Sequence, residues 1–500
     1  MAITRSTTKP VVSGSDDNDG AAYFDALIIG AGISGINAAY RIQTDGPAEM
    51  TYAILEGRDS LGGTWDLFRY PGIRSDSDMF TFGFPWNPWT RKEMLASGPL
   101  IKNYMAESAQ SQGIDHHILY RHRVISANWS SVRQNWEFEV SVPDKEEPVT
   151  FRSRFVLLGT GYYDYEEPLK TLIPGIENFK GKIIHPQFWP KDYDYTDKEV
   201  VVIGSGATAV TIVPSMADRA RRVTMLQRSP SYVFSLWSNG LLTSLLFAIL
   251  PKAVANYLHR VIWLWRSFLT TFLCRKFPAL AKAVVKHLTI KQLPPDIKWD
   301  PNFKPRYNPW EQRFCACADG DFFAALRSGK ADVVTGQIRT VTETTIELED
   351  GQTLTPDVIV TATGLKLRFG GGIQFAVDGK PFKWSDKFAW RAAMLQDVPN
   401  LLFLTGYETT SWTLGADISS KLFVRILREM DKKGASVVVP RVKGKGMEER
   451  PMMSLSSTYL KNVREVLPRA GEGVWSPKAN YFVDLARAKW GSLSTGLEFL

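Results

Sequence analysis

Short hydrophobic runs alternate with glycine turns and helix-like segments along most of the chain. The run at 24–29 leads directly into the turn GAGISG at 30–35 and then into a segment with the hydrophobic period of a helix. Apart from Asp25 the run is apolar, and a short apolar run is typical of a strand buried on both faces of a parallel sheet. The pattern therefore predicts a strand, a tight turn and a helix, the first unit of a doubly wound α/β domain.

A second unit of the same kind begins at 199. The apolar run 199–203 is followed by GSGATA at 204–209, in which alanine replaces the third glycine, a change that the dinucleotide fingerprint permits. Apolar runs at 357–362 and 401–404 predict further buried strands. We therefore expect an α/β fold with two Rossmann-like dinucleotide-binding domains.

Residues 236–295 do not continue this alternation of apolar strands and helices, because leucine, phenylalanine and tryptophan are mixed with lysine and arginine. We interpret this stretch as a helical insertion. Within it, the uncharged run 236–250 is shorter than the roughly 20 residues that a membrane span needs. A basic, tryptophan-rich amphipathic surface can lie on a bilayer, although such surfaces more often pack on their own protein. Peripheral membrane contact through 236–290 is therefore kept as a hypothesis.

The composition is that of an ordinary globular protein, with 44% hydrophobic and 22% charged residues. A chain of 500 residues exceeds what one hydrophobic core fills, so it predicts more than one domain. The net charge of +8 suits an anionic cofactor or a membrane surface, and no nucleic-acid-binding signature is found. Three cysteines cannot form a disulfide framework, which favours a reducing, cytoplasmic location. They also do not stand at the spacing of zinc ligands, so no metal is expected. No obligate protein partner is indicated.

The first glycine turn predicts a dinucleotide site. Its glycines allow a tight turn and close approach of a pyrophosphate, which the free N–H groups of the helix N-terminus would bind. The strand at 51–55 ends on an acid at the distance where a carboxylate holds the adenosine ribose. The candidate residues here are Gly30, Gly32, Ile33, Ser34, Gly35 and Glu56.

The second turn predicts a site for a nucleotide that carries an extra phosphate. The strand at 222–226 ends on Gln227 and Arg228 where an acid would select a free ribose 2′-hydroxyl. An arginine there can make bidentate charged hydrogen bonds to a 2′-phosphate, so NADPH is favoured over NADH. The alternative is that Arg228 is a solvated loop charge. The candidate residues here are Ser205, Gly206, Ala207, Thr208, Ala209, Arg228 and Ser229.

Several motifs resemble those of the Baeyer-Villiger flavin monooxygenases. GGTW at 62–65, followed by YPG and Asp76, is similar to that family's extended flavin fingerprint, and 179–190 matches its FxGxxxHxxxWP signature at every fixed position. The stretches 62–79 and 307–310 look most like the ethionamide-activating branch. The resemblance covers nearly everything after residue 24. It implies FAD and NADPH as cofactors, with O₂ and a small hydrophobic organic molecule as substrates.

The resemblance also implies a catalytic pair, Arg313 and Asp76. A fixed cation stabilises negative charge that develops on oxygen, and Asp76 would orient that cation. Arg306 is the rival for the arginine role. Many relatives carry a lysine just before the arginine and use it to bind the phosphate of the nicotinamide nucleotide. This chain has Gln312 at that position, so Arg228 becomes the main candidate for that phosphate. The resemblance adds these flavin-site candidates: Gly63, Thr64, Trp65, Asp66, Arg74, Asp76 and Val124. For Val124, a role as an ordinary strand residue is the alternative.

Taken together, these features predict a monooxygenase that inserts one atom of O₂ into an organic substrate. Conversion of a ketone to an ester or lactone is the favoured reaction, with oxidation of thioethers as a further activity. Hydroxylation, epoxidation or N- and S-oxidation as a tailoring step in secondary metabolism is one alternative. A non-oxygenating flavoprotein reductase is the other.

The expected domain organisation follows the chain in order. It comprises a disordered tail (1–23), a first FAD-domain part (24–165), a linker with the signature (166–197), a first NADPH-domain part (198–235), the helical insertion (236–312), a second NADPH-domain part (313–385) and a C-terminal FAD-domain part (386–500).

Overall fold

The structure is a computed structural model, and it describes residues 15–16, 20–143, 145–237, 246, 248–312, 314–444, 446–453 and 463–500. Most of the predicted tail at 1–23, part of the insertion and the candidate catalytic residue Arg313 lie outside the described residues.

The described helices are α1 Ile33–Asp45, α2 Thr64–Leu67, α3 Met79–Phe82, α4 Gly98–Ser111, α5 Ala207–Ala217, α6 Lys252–Lys276, α7 Pro278–Ile290, α8 Trp299–Asn302, α9 Asp321–Arg327, α10 Trp412–Lys433, α11 Val463–Val466 and α12 Tyr481–Trp490.

The described strands are β1 Ser15–Asp16, β2 Ala22–Ile29, β3 Tyr52–Glu56, β4 Ile118–Tyr120, β5 Arg123–Ser130, β6 Asn135–Ser141, β7 Val149–Leu158, β8 Lys182–Ile184, β9 Glu199–Ile203, β10 Arg222–Gln227, β11 Val233–Leu236, β12 Cys315–Ala318, β13 Ala331–Thr335, β14 Ile338–Val341, β15 Ile346–Leu348, β16 Thr353–Leu354, β17 Val358–Thr361, β18 Gln374–Val377, β19 Lys380–Pro381, β20 Ala389–Trp390, β21 Met394–Leu395, β22 Leu401–Phe403, β23 Val438–Pro440 and β24 Leu497–Phe499.

Within the described ranges, the largest sheet has twelve strands. Its parallel part is ordered β4-β3-β2-β7-β22, and β5, β6, β18 and β19 extend it on the β7 side. The strand order reverses at β2, because β3 and β4 lie on one side of it and β7 on the other. A reversal of this kind leaves a crevice at the carboxyl end of the strand, which is where nucleotides bind in doubly wound sheets.

A second sheet is ordered β13-β10-β9-β17-β8, and all its strands are parallel. Its order reverses at β9, so it has a crevice at the carboxyl end of β9. The expectation of an α/β fold with two Rossmann-like units is confirmed. The chain rejoins the first sheet at Gln374, earlier than the expected division between 385 and 386.

The strands of both nucleotide-binding units are buried because helices cover them. Every residue of β3 is buried, and α1 and α10 pack together over one face of the first sheet. The second core lies between β9, β10 and β17 on one side and α5 and α9 on the other. Both crevices therefore open at the edge of a rigid, packed sheet.

The insertion contributes α6, α7 and α8 to the described part of the chain. Helix α6 is fixed to the flavin half through Arg260, whose Nη1 donates to the carbonyls of Phe80 at 2.7 Å and Gly83 at 2.9 Å. Of the helices in the described ranges, none has both the length and the apolarity to cross a membrane.

Candidate functional site

The turn after β2 can be built only with glycine at two positions. Gly30 has φ +102°, and a Cβ there would lie 2.9 Å from the carbonyl oxygen of Gly159. A Cβ at Gly35 would lie 1.9 Å from the carbonyl oxygen of Gly30. The first glycine therefore makes the turn, and Gly35 lets α1 pack directly against it, as a dinucleotide-binding turn requires.

Glu56 ends β3 beside this turn. Its carboxylate accepts from the backbone N–H of Ala31 at 2.8 Å and from that of Arg58 at 3.0 Å. Burial raises the pKa of Glu56 above its ordinary value, although the two backbone hydrogen bonds act to lower it. The side chain is thus held in place by the backbone, with its position at the strand end suited to accept from a ribose hydroxyl.

The turn after β9 repeats this arrangement. Gly204 has φ +138°, and a Cβ there would lie 2.3 Å from the carbonyl oxygen of Ala362 at the end of β17. A Cβ at Gly206 would meet no atom within 4 Å, so the space at the N-terminus of α5 is open to a ligand. The Ser205 hydroxyl donates to the carbonyl of Ser229 at 2.9 Å and fixes the turn to the loop after β10.

Arg228 follows β10 at this second crevice. Its side chain is exposed, and the structure shows no hydrogen bond or ion pair between it and another described residue. The preceding Gln227 is buried and donates from Nε2 to the carbonyl of Asn302 at 2.7 Å, so it anchors the strand end. Arg228 is therefore a charged group available to an anionic ligand.

Both glycine turns open into one cavity of about 1000 Å³. This volume is at the upper end of the range for ligand pockets. The sequence candidates that line it are Gly30, Gly32, Ile33, Ser34, Glu56, Gly63, Thr64, Trp65, Arg74, Asp76, Val124, Ser205, Gly206, Ala207, Thr208, Arg228 and Ser229. Three candidates lie behind the cavity wall: Gly35 and Ala209, buried in α1 and α5, and Asp66.

Asp66 is held by two cations: Arg58, which itself lines the cavity, and Lys102, which does not. Its carboxylate oxygens accept from Nη2 of Arg58 at 2.5 Å and from Nζ of Lys102 at 2.6 Å. Burial acts to raise the pKa of Asp66, but the hydrogen bonds and charges of Lys102 and Arg58 outweigh it, so the pKa is lowered. This geometry gives Asp66 a structural part in holding α2, which carries Thr64 and Trp65 on the cavity side.

Asp76 lines the cavity and is half-buried. Arg74, two residues earlier, also reaches the cavity, but its guanidinium pairs with Asp321 at the start of α9, with Nη2 at 3.2 Å from Oδ1. This ion pair joins the flavin half to the nucleotide half. Gln312 lines the same cavity, whereas the rival arginine, Arg306, is exposed and does not.

An aromatic wall that the sequence argument did not single out closes the flavin side. Trp412, the first residue of α10, stacks on Tyr162 with ring centroids 5.0 Å apart, and its Nε1 donates to the hydroxyl of Ser34 at 2.9 Å. Tyr407 and Thr410 line the cavity beside it. In the sequence, this wall could have been found from the strand β22, which is followed by a turn with small residues and by a helix. That order repeats the strand-turn-helix pattern of the two glycine turns.

His185 directly follows β8, which pairs with β17, and it lines the cavity. Its Nδ1 accepts from the backbone N–H of Gln187 at 3.3 Å. Burial lowers the pKa of His185, so the imidazole is favoured in its neutral form. Gln187 in turn donates from Nε2 to the carbonyl of Asp164 at 2.6 Å, which ties this linker segment to the flavin half.

The residues present fit two dinucleotides. Each glycine turn lies at the N-terminus of a helix of at least eleven residues, where free N–H groups favour a pyrophosphate. Glu56 supplies an acceptor for one ribose, and Arg228 supplies a cation for a second nucleotide. These groups meet in a single cavity, so two bound dinucleotides could approach one another.

Comparisons with known proteins agree with this geometry. A family model described as flavin-binding monooxygenase-like matches residues 95–371, and one described as an NAD(P)-binding Rossmann-like domain matches 28–96. The chain is 42% identical over 472 residues to the FAD-containing monooxygenase EthA of Mycolicibacterium smegmatis, covering 94% of this chain and 95% of that protein. It is 42% identical over 480 residues to EthA of Mycobacterium tuberculosis strain H37Rv, covering 95% and 98%.

A solved structure shares the fold along nearly the whole chain. It is an oxidized steroid monooxygenase bound to NADP, with a TM-score of 0.75 at 19% identity, and the alignment covers 96% of this chain and 100% of that one.

Proposed function

The chain belongs to the flavin-binding monooxygenase-like family, and on that premise we propose that it holds FAD, consumes NADPH and converts a ketone into an ester or lactone. The observation that carries this proposal is the position of Asp76. It lies on the wall of a single cavity into which both dinucleotide turns open. A site of this form suits an enzyme in which two cofactors and a substrate meet.

Specific residues would hold the cofactors. The N–H groups at the start of α1 would bind the FAD pyrophosphate, and Glu56 would accept from its ribose. The start of α5 would bind the NADPH pyrophosphate, and Arg228 its 2′-phosphate. The chemistry that FAD supplies when bound is acceptance of hydride from NADPH and reduction of O₂.

Other residues would shape the substrate region. Trp65 and Phe82 pack edge to face at 5.7 Å, and both line the cavity together with Tyr70. These rings form an apolar wall that fits a small hydrophobic substrate and limits the entry of water. Asp76 lies at this wall, where its carboxylate would orient a guanidinium.

We assign that guanidinium to Arg313, which is a proposal from the family resemblance. Negative charge develops on oxygen when a nucleophile adds to a carbonyl, and a fixed cation stabilises it. The same charge stabilisation is less important for oxidation of a thioether, in which the sulfur attacks oxygen. A variant without the cation should therefore lose ester formation more than sulfoxide formation.

Reaction under ¹⁸O₂ tests the proposed function. Purified protein with FAD and NADPH is incubated with cyclic, linear and aromatic ketones and with one thioether, and products are identified by mass spectrometry. The proposal expects an ester or lactone that carries one ¹⁸O atom, with one NADPH consumed for each product. Hydroxylated or epoxidised products without any ester would favour the tailoring alternative, and NADPH oxidation that needs no O₂ would favour a reductase.

A further inference from the structure

Helix α6 has polar anchors on its inner face and a row of exposed apolar residues on its outer face. His259 is buried, and its ring packs on that of Phe80 with centroids 4.1 Å apart. One residue on, Arg260 donates to two carbonyls of the flavin half. Ser267 donates to the hydroxyl of Thr410 at 3.2 Å on the cavity wall. A helix on the surface of a globular protein normally presents polar residues to solvent.

The outer face of α6 and the adjoining α7 is strongly apolar. Leu269 is 52% exposed, Phe272 51%, Leu280 64% and Leu288 51%. We call the full set the apolar stripe; it consists of the exposed residues Trp265, Leu269, Phe272, Leu273, Phe277, Leu280, Val284 and Leu288. Their spacing is helical, which keeps them along one face of each helix. Scattered exposed apolar residues are common, but a continuous row of this length marks an interaction site.

The charged residues of α6 and α7 have a single sign. Between Asp218 and Asp296 the chain has no aspartate or glutamate. The exposed lysine and arginine residues of α6, of α7 and of the position directly after α7 are Lys252, Arg266, Arg275, Lys276, Lys286 and Lys291. Lys276 follows Phe272 by four residues, which places it at the end of the stripe on the same face. A long basic side chain there can extend its charge past an apolar contact.

We propose that the apolar stripe and its basic residues dock on the surface of an anionic lipid bilayer. The apolar side chains would enter the boundary between headgroups and acyl chains, while the basic groups stay at the negatively charged headgroups. Charge complementarity selects this occupant over a second copy of the chain. Two copies meeting through this face would bring like charges together, which disfavours their association.

The docked orientation follows from how α6 is anchored. Its inner face holds the segment that includes Phe80 and Gly83, directly after Asp76, and its Ser267 contacts Thr410 at the cavity. One helix would thus separate the bilayer from the cavity wall. The docking proposal does not depend on the reaction proposed above, because lipid binding needs neither cofactor turnover nor a ketone.

Vesicle co-sedimentation of the FAD-loaded protein tests the proposal. The probes are phosphatidylcholine vesicles and vesicles with 30% phosphatidylglycerol, each at low salt and at 0.5 M NaCl. We expect binding to the anionic vesicles at low salt and its release by salt. The double variant Arg275→Glu/Lys276→Glu should bind roughly 100-fold more weakly. The matched control Lys191→Glu/Lys198→Glu changes two exposed lysines elsewhere and should bind like the wild type.

A second pair of variants tests the apolar side chains of the stripe. Phe272→Ser/Leu280→Ser should also lower partitioning by roughly 100-fold, whereas Val132→Ser, at a site that is 95% exposed, should not. Circular dichroism and NADPH oxidation confirm that each variant is folded. Absence of binding by the wild type at low salt would overturn the proposal. So would sedimentation velocity that shows a dimer which Phe272→Ser/Leu280→Ser converts to monomer, because a second copy would then cover the stripe.

Discussion

Replacing Arg228 by alanine separates the two nicotinamide coenzymes. Arg228 directly follows β10, lines the cavity and makes no hydrogen bond or ion pair with another described residue. Its removal therefore costs the folded protein little, and we expect a change in stability within about 0.5 kcal/mol. Any large effect on catalysis must then come from contacts with a ligand.

The size of that effect follows from the charge and the exposure of the side chain. A hydrogen bond to a charged group contributes about 1.5 to 3 kcal/mol. Arg228 is exposed, so solvent and salt screen it, and we use the lower end of that range. A loss of about 1.5 kcal/mol corresponds to a KM for NADPH that is about tenfold higher. NADH has no 2′-phosphate, so its KM should not change.

Steady-state kinetics with both coenzymes measure this difference at saturating substrate. Arg228→Lys should lie between the wild type and Arg228→Ala, because lysine keeps the charge but loses the planar fork. Arg222→Ala is the matched control, since Arg222 begins the same strand at its other end and pairs with Asp332. Equal increases in KM for NADPH and NADH, or an Arg222→Ala variant with the same NADPH defect, would refute the reasoning.

Three further substitutions probe the cation, the flavin turn and the insertion. Arg313→Ala should keep NADPH oxidation and oxygen uptake but lose roughly 100-fold in ester formation, with hydrogen peroxide as the product measured instead. Asp66→Asn should destabilise the protein by about 2 kcal/mol at pH 7, below the value for a fully buried pair because both cations are partly exposed. Because the pKa of Asp66 is lowered in the folded protein, this stabilisation is fully present above the unfolded-state pKa of about 3.9. It is lost as the pH falls through the folded-state pKa. The urea midpoints of the variant and the wild type should therefore converge at low pH. Arg260→Met should lower the urea midpoint and raise the KM for the organic substrate, because the carbonyls of Phe80 and Gly83 lose their charged donor.

Each of these expectations has a matched comparison. Arg306→Ala should resemble the wild type, and loss of ester formation in that variant alone would mean that the wrong arginine is assigned. An Asp66→Asn defect of constant size from pH 7 to pH 3 would contradict the ionised pair. Arg260→Lys should recover part of the Arg260→Met defect, and identical behaviour of the two variants would show that charge at this position has no effect.

The sequence predicted the parts of the fold and of the site that depend on local backbone shape. A buried strand, a glycine turn and a helix are all visible within about 25 residues, as are the strand ends at Glu56 and Arg228. The structure places both of these side chains on the cavity that the glycine turns share. The predictions of the fold class, the family and the two nucleotide-binding units are confirmed because each depends on such a local pattern.

Contacts between distant parts of the chain could not be predicted in this way. Trp412 donates to Ser34, 378 positions away, and Arg74 pairs with Asp321, 247 positions away. Asp66 stands within a flavin fingerprint, yet it does not line the cavity, and its carboxylate is paired with Arg58 and Lys102. A motif identifies which residue stands at a turn, but the direction of its side chain depends on tertiary partners that no local pattern specifies.

The loop that carries Asp76 shows why these distant contacts matter for the chemistry. Tyr70 at its start shares a hydrogen bond with Thr208 in the second glycine turn, and Arg74 pairs with Asp321 on α9. Between them, Gly72 lies against α5 so closely that a Cβ there would be 1.8 Å from the hydroxyl oxygen of Ser215. All three contacts join a loop of the flavin half to the nucleotide half. The position of Asp76 therefore depends on how the two halves meet, so a nucleotide bound between α5 and Arg228 would act on Asp76, and on the reaction that we propose for it, through this loop.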